Sequence, residues 1–205
     1  SHEWLKHFGT GVSLFYEGGP QGRFSYTYTA AVLNDGGSTS GTLIYVPRAA
    51  DELTFKDYKP TGWTETYTAA QQATDFWNYI NQDAYLRQRK GRFAERDGAM
   101  YPWVNQFDVK FHQDFYFNVA QRRNTLQLGV DILNFGNLLN PSWGNYYSIQ
   151  KANILKVVSG YSQGATAAPV YQFQANGTEV LKDTFTTSKS FGSTWSMQVS
   201  IRYMF

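Results

Sequence analysis

The last eleven residues of the chain, 195–205, set the strongest constraint on its fold. An apolar side chain occupies every second position, and the positions between are polar apart from Met204. Successive side chains of a β-strand point to opposite faces of the sheet, so this alternation predicts a strand with one apolar and one polar face. The apolar positions are Trp195, Met197, Val199, Ile201, Tyr203 and Phe205.

Six further segments carry strand signals, which together predict an all-β fold of about seven antiparallel strands. These segments are 8–16, 23–29, 103–117, 125–132, 147–158 and 169–174. Residues 18–22 read GGPQG, a turn sequence that predicts a hairpin between the first two segments. The alternation within 147–158 is irregular and does not assign its two faces.

The strand at 103–117 places a row of polar side chains opposite a row of rings. Asp108, Lys110, His112 and Asp114 share one face, and Asp131 on the next strand continues the polar row. Unpaired charges in a dry core cost roughly several kcal/mol each. The polar face is therefore expected to meet water or oppositely charged partners, as the inside of a wide barrel does.

Residues 30–101 predict a long loop that contains one helix. The helix lies within 68–91, where Phe76, Trp77 and Ile80 recur at helical spacing and Gly91 follows the end. The loop also carries five rings that could stack on a ligand or hold the loop together: Tyr58, Trp63, Tyr67, Trp77 and Tyr79.

Composition excludes several classes of protein. The sequence has no cysteine, 18% aromatic residues, only 17% charged residues and a net charge of +2, too small to imply a nucleic-acid partner. It has no apolar run long enough for a spanning helix, whereas a spanning strand needs only about 9–11 alternating residues. His2, His7 and His112 lack the spacing of metal ligands, so we expect no metal site. The sequence also has no nucleophile motif that could pair with His112 in catalysis. We therefore expect no enzymatic activity and no cofactor.

The connections between predicted strands alternate in length. Short ones at 18–22, 118–124 and 159–167 alternate with long ones at 30–101, 135–146 and 175–192. Outer-membrane barrels have short periplasmic turns and long outer loops, so this alternation places the C-terminus on the periplasmic side. Bacterial barrels have even strand numbers, so seven strands predict the closing portion of a larger barrel. An eighth strand within 39–47 would instead permit a small closed barrel.

Several segments resemble known outer-membrane proteins. The terminal WSMQVSIRYMF resembles the signal that the outer-membrane assembly machinery reads, which implies that role for Trp195, Val199, Ile201, Tyr203 and Phe205. FDVKFHQDFYF and LQLGVDILNFGNLLNPSWG resemble late strands of TonB-dependent receptors. GRFSYTYT, LIYVPRAADELTF and YLRQRKGRFAERDGAMYPWVNQFDVKF resemble more narrowly the Oar-like receptors of Bacteroidota, relatives of SusC-type transporters.

This resemblance implies a fold and a set of partners. The whole of 1–205 would be the C-terminal segment of a transmembrane barrel of about 22 strands, with 30–101 as an extracellular loop and the plug domain lying upstream. Implied partners are outer-membrane lipid, lipopolysaccharide, the rest of the barrel with its plug, TonB and the assembly machinery; the resemblance also admits a surface lipoprotein.

Two function classes follow from the sequence. In the first, the chain is part of a TonB-dependent transporter in the outer membrane of a Gram-negative bacterium, importing a peptide, glycan or siderophore. In the second, it forms a small closed barrel of about eight strands that acts as a passive pore or an anchor. The sequence leaves the substrate open.

Overall fold

A computed structural model describes residues 7–29, 41–159, 168–188 and 190–205, and the fold is mostly β. The strands are Phe8–Pro20 (β1), Arg23–Phe24 (β2), Thr27–Tyr28 (β3), Tyr45–Val46 (β4), Thr54–Phe55 (β5), Arg92–Phe93 (β6), Ala99–Met100 (β7), Trp103–Val119 (β8), Arg122–Leu133 (β9), Tyr147–Ile149 (β10), Asn153–Ser159 (β11), Val170–Phe173 (β12), Phe185–Thr187 (β13) and Ser196–Met204 (β14). The helices are Ala69–Gln82 (α1), Ala84–Gln88 (α2) and Phe135–Leu139 (α3), with a short 3₁₀ turn at Phe191–Ser193.

The chain divides into two compact units. Unit 1 comprises Ser1–Gln21, Pro102–Tyr147 and Thr187–Phe205, and unit 2 comprises Gly22–Tyr101 and Ser148–Thr186. Each unit is therefore built from segments that are distant in the sequence.

Unit 1 is organised around a four-stranded antiparallel sheet in the order β1-β8-β9-β14. The strands predicted at 103–117, 125–132 and the C-terminus are confirmed. Ala120 and Gln121 join β8 to β9, and both have positive φ angles, 48° and 65°. Two such residues in sequence give the left-handed turn whose twist suits a tight hairpin.

The predicted hairpin between 8–16 and 23–29 is wrong. β1 runs on through Gly18 and Gly19 and pairs with β8 as far as Pro20, which lies opposite Trp103. β2 instead pairs with β7 in unit 2. Glycines adopt extended backbone as readily as turn angles, and proline is tolerated at a strand end, so the turn-like sequence did not force a turn here.

Unit 2 contains short strands packed with two helices around a core of aromatic and aliphatic side chains. The predicted helix is confirmed in position but splits at Asp83, whose carboxylate accepts hydrogen bonds from the Tyr85 and Leu86 amides and so begins α2. Thr68 begins α1 through a capping box with Gln71. Phe76 and Ile80 turn into the core, as their spacing predicts.

The region at 147–158 forms two strands where the sequence predicts one. β10 pairs with β13, while β11 joins a mixed sheet in the order β3-β11-β12-β5. The division into β10 and β11 explains why apolar and polar residues alternate irregularly within 147–158. Within the part of 39–47 that the structure describes, the strand is only Tyr45–Val46, and residues 39 and 40 lie outside the described residues.

The seven predicted strands therefore do not form one meander. Four of them make the long sheet of unit 1, and those near 23–29, 147–158 and 169–174 contribute to unit 2, apart from Tyr147. Residues 41–101, predicted as part of a loop, fold together with 148–159 and 168–186 in unit 2.

Candidate functional site

The long sheet of unit 1 has two chemically different faces. Directly opposed residues of an antiparallel pair project to the same face, and the register aligns Val12, Phe111, Val130 and Val199 across all four strands. Val12 and Val199 are 69% and 64% exposed. This face is therefore apolar across the width of the sheet and open at its outer strands.

The opposite face carries the polar row. Lys110 lies opposite Asp131, and its Nζ is 3.1 Å from the Asp131 carboxylate. Asp114 accepts hydrogen bonds from Gln127 at 2.8 Å and from the Tyr116 hydroxyl at 3.1 Å. The charges on this face are thus held by one another and by neighbouring polar groups.

Asp108 and His112 extend the same row in different ways. Asp108 accepts a hydrogen bond from the Asn134 amide at 2.8 Å, which stabilises the end of β9. The His112 ring lies across Gly11, where a Cβ would collide with it. His112 makes no hydrogen bond to the described residues.

The terminal strand presents its apolar side chains outward. Val199, Ile201 and Phe205 are exposed, and Trp195 lies immediately before the strand. Tyr203 stacks on Phe117 and Phe205, and its hydroxyl donates to Asn124 at 2.6 Å. A cluster of rings thereby forms at the end of the sheet that carries the short β8–β9 turn. The assembly-signal role of these residues stays a prediction.

The five loop rings predicted as ligand contacts all pack within unit 2. Tyr67 and Tyr79 are 2% and 1% exposed and belong to the core, where they leave no surface for a ligand. Tyr58, Trp63 and Trp77 are partly buried against that core. This placement gives all five a packing role, and ligand contact remains a prediction for the three that keep exposed surface.

A buried polar network surrounds Asp83 in unit 2. Its second carboxylate oxygen accepts hydrogen bonds from the Tyr26 hydroxyl at 2.7 Å and the Thr184 hydroxyl at 2.6 Å. The Tyr79 hydroxyl lies 3.3 Å from that of Tyr26, and Gln82 donates to Thr184. Several donors thus stabilise a carboxylate that has no cation beside it among the described residues.

Burial keeps the phenols of this network protonated. It raises the pKa of Tyr79 to about 12. Burial, with smaller contributions from Tyr79 and Asp83, raises the pKa of Tyr26 above its ordinary value. Both hydroxyls therefore remain hydrogen-bond donors throughout the neutral range, which suits a structural network.

Unit 2 also contains an open cleft that the sequence did not predict. Its volume is about 330 Å³, and its lining includes Lys59, Lys151, Lys156 and Gln172. These residues come from three separate segments of the chain. No local sequence motif connects these residues, so the cleft that they line is visible only in the folded unit.

Within the described ranges, no three His, Asp or Glu side chains lie close enough to hold a metal ion. None of the described helices is both long and apolar enough to cross a membrane.

Comparison with known proteins gives no relative: no family model, curated protein or solved structure matches this chain.

Proposed function

We propose that this chain is part of the β-barrel of a TonB-dependent outer-membrane transporter that imports a nutrient into the periplasm. The observation that carries the proposal is the sheet of unit 1, whose apolar face stays exposed across long strands. Strands β1, β8, β9 and β14 have 13, 17, 12 and 9 residues. A tilted strand crosses a bilayer in about 9–11 residues, so these lengths suit a membrane wall.

Connection lengths support the same proposal. β8 and β9 are joined by two residues, whereas 21–102 separate β1 from β8 and 134–195 separate β9 from β14. Both long connections leave one end of the sheet, and the C-terminus lies at the other. Short turns at one end and long loops at the other are typical of outer-membrane barrels. On this proposal the C-terminus is periplasmic, and unit 2 is built from the outer loops.

The polar face would then line the lumen. Lys110, Asp131, Asp108, Asp114 and His112 would meet water or the plug, while the rings of the other face meet lipid. The partners follow from this placement: lipid and lipopolysaccharide at the apolar face, further barrel strands at the edges, the plug inside, and TonB through a segment upstream. The C-terminal strand would be read by the assembly machinery, and a surface lipoprotein is a further partner that the resemblance admits.

The free edges favour a larger barrel over the small closed one. Among the described residues, β1 and β14 each pair on one side only and do not pair with each other. Unpaired strand edges are not tolerated in hydrocarbon, so further strands must complete the wall. The small closed barrel acting as a pore or anchor remains the second candidate, because other copies or segments could also supply strands.

Site-directed labelling tests the membrane face. The sequence contains no cysteine, so Val199→Cys and Ile201→Cys can be compared with Gln198→Cys and Ser200→Cys in the intact protein reconstituted in vesicles. Spin labels on the first pair should be more accessible to oxygen, which concentrates in lipid, and those on the second to a water-soluble nickel complex. Equal accessibility of the two sets would refute the membrane wall.

Uptake measurements separate the two candidate functions. Cells that express the intact protein should lose uptake of its nutrient when the proton gradient is collapsed or TonB is deleted. Uptake that persists under both conditions would indicate a passive pore and would overturn the transporter proposal.

A further inference from the structure

The cleft in unit 2 has a strongly one-sided charge. Among the described residues, its lining includes three lysines and no acidic side chain: Tyr58, Lys59, Pro60, Thr61, Lys151, Lys156, Gln172, Gln174, Ala175 and Gly177. A cleft lined by charges of one sign concentrates the electric field and attracts ligands of the opposite charge. Its volume of about 330 Å³ suits a small ligand.

Strand pairing brings part of this charge together. Lys156 on β11 lies directly opposite Gln172 on β12, so their side chains share one face of the sheet. Their neighbours Leu155 and Phe173 are fully buried and face the core. Lys156 and Gln172 therefore point away from the core and form the floor of the cleft.

Gln172 presents its side-chain amide to the cleft. It is only 9% exposed, yet its side-chain amide makes no hydrogen bond to the described residues. Only its backbone carbonyl has a partner, the Gln174 amide at 3.4 Å. The amide nitrogen and oxygen are not enclosed by the protein, so a donor and an acceptor are available to a molecule in the cleft.

The lysines are in two different states. Lys151 donates to the Ala175 carbonyl at 2.8 Å, which fixes its ammonium group at the wall. Lys59 and Lys156 have no ion pair or hydrogen bond to any part of the chain that the structure describes. Two ammonium groups are therefore available without first breaking a bond within the protein.

The walls of the cleft are held in place by two of the rings that the sequence singled out. The Tyr58 hydroxyl donates to the Phe173 carbonyl at 2.6 Å and accepts from the Ala175 amide at 3.2 Å. The Trp63 indole donates to the Gly177 carbonyl at 3.1 Å. These bonds connect the 58–63 segment to the 173–177 segment, so a ligand would meet a largely formed cleft, which lowers the ordering cost of binding.

We propose that this cleft binds a small ligand that carries an oxyanion group, either a carboxylate or a phosphate. The Lys59 and Lys156 ammonium groups neutralise the oxyanion, Lys151 adds a fixed positive charge, and the Gln172 amide hydrogen-bonds to the ligand. The Tyr58 ring and Pro60 supply apolar surface for the rest of the ligand. Binding is read directly by titration, so this proposal stands or fails independently of the proposed transport function.

A matched series of sugars tests the charge requirement. Glucuronic acid, glucose 6-phosphate and glucose share a ring but carry a carboxylate, a phosphate and no charge, respectively. We expect calorimetric titration of the intact, detergent-solubilised protein to show binding of one or both anions and at least tenfold weaker binding of glucose. Affinity should fall as sodium chloride is raised from about 0.05 to 0.3 M, because salt screens exposed charges.

Variants connect the binding to the cleft. Lys156→Ala and Lys59→Ala should each weaken anion binding about tenfold, and Lys156→Arg, which keeps the charge, should weaken it less. Lys182→Ala is the matched control, since Lys182 is an exposed lysine of the same unit that does not line the cleft. Each variant is first checked for an unchanged melting temperature.

The titrations also identify the source of the anion. Lipopolysaccharide, titrated in the same detergent, offers phosphate on a lipid rather than on a free sugar. Lysine-dependent binding of either source supports the proposal. Failure of all the anions to bind, equal affinity for glucose, or the same affinity in Lys156→Ala as in Lys182→Ala would overturn it.

Discussion

Gln72 is the residue whose replacement most sharply tests how unit 2 is held together. Its side chain is fully buried on α1. The amide nitrogen donates to the Lys56 and Tyr67 carbonyls at 2.9 and 2.8 Å, and the amide oxygen accepts from the Phe173 amide at 3.0 Å. One side chain therefore bonds the helix, the preceding loop and strand β12.

The expected cost of Gln72→Met follows from the partners left behind. Methionine has a similar length and no amide, so it fills the space while the three backbone groups lose this partner. The Tyr67 carbonyl still accepts from the Tyr58 amide, but the Phe173 amide loses its acceptor within the core. A buried group left without a hydrogen bond costs about 1–3 kcal/mol, so we expect a total loss of about 2–4 kcal/mol.

Denaturant unfolding and hydrogen exchange of the intact protein measure this loss. Denaturant titration gives the change in unfolding free energy, and hydrogen exchange should accelerate most in the unit 2 peptide that contains Phe173. Asn78→Met is the control, because Asn78 lies on the same helix but is exposed. A Gln72→Met protein within about 0.5 kcal/mol of this control would refute the reasoning.

Two further predictions concern the sheet and the buried phenols. Gly11→Ala should destabilise the protein by about 1–2 kcal/mol relative to Gly19→Ala, because the new methyl group meets the His112 ring whereas Gly19 has open space; denaturant titrations check this, and adding His112→Ala should remove the difference. The free energy of unfolding should be constant below about pH 10 and fall as pH rises toward about 12. The reason is that the pKa values of Tyr79 and Tyr26 are higher in the folded state than in the unfolded state. Melting curves from pH 8 to 12 measure the fall, which Tyr26→Phe should reduce; a stability independent of pH in this range would contradict the assignment.

The sequence predicted the strands of unit 1 better than their partners. Alternation located β8, β9 and β14 because each has one apolar and one polar face, and this pattern is local. The partner of β1 is β8, far along the chain: Gly11 pairs with His112. No local signal specifies such a pairing, so the nearer segment at 23–29 was chosen wrongly.

In unit 2 the sequence predicted the helix but neither its division at Asp83 nor its tertiary contacts. The spacing of Phe76, Trp77 and Ile80 is a local feature, and it was sufficient to predict a helix here; the structure adds the capping box at Thr68. Asp83 interrupts the helix because one of its carboxylate oxygens caps α2, and its other oxygen accepts hydrogen bonds from Tyr26 and Thr184, which lie far away in the sequence. The cap is a local signal for the break, whereas the distant partners of Asp83 are known only from the folded structure.

The candidate sites show the same limit. The polar row on β8 could be grouped from the sequence, since alternate residues of one strand share a face. The basic cleft could not be predicted, because Lys59 and Lys156 are brought together only by the packing of separate segments. Of the five loop rings, Tyr67 and Tyr79 are buried in the core, whereas Tyr58 lines the cleft.

The two units differ in how they bury apolar side chains. This difference is the strongest physical reason to expect that something else covers the apolar face of the unit 1 sheet. Unit 2 leaves Ile80 and Phe173 with no exposed surface, so this chain is capable of forming a closed core. In unit 1, Leu14 and Ile201 are 69% and 73% exposed on a regular antiparallel sheet. Poor folding would disturb the strand register, yet that register is continuous across all four strands. This open apolar face motivates the proposed membrane wall, in which lipid would cover the face and the strand lengths would suit a bilayer.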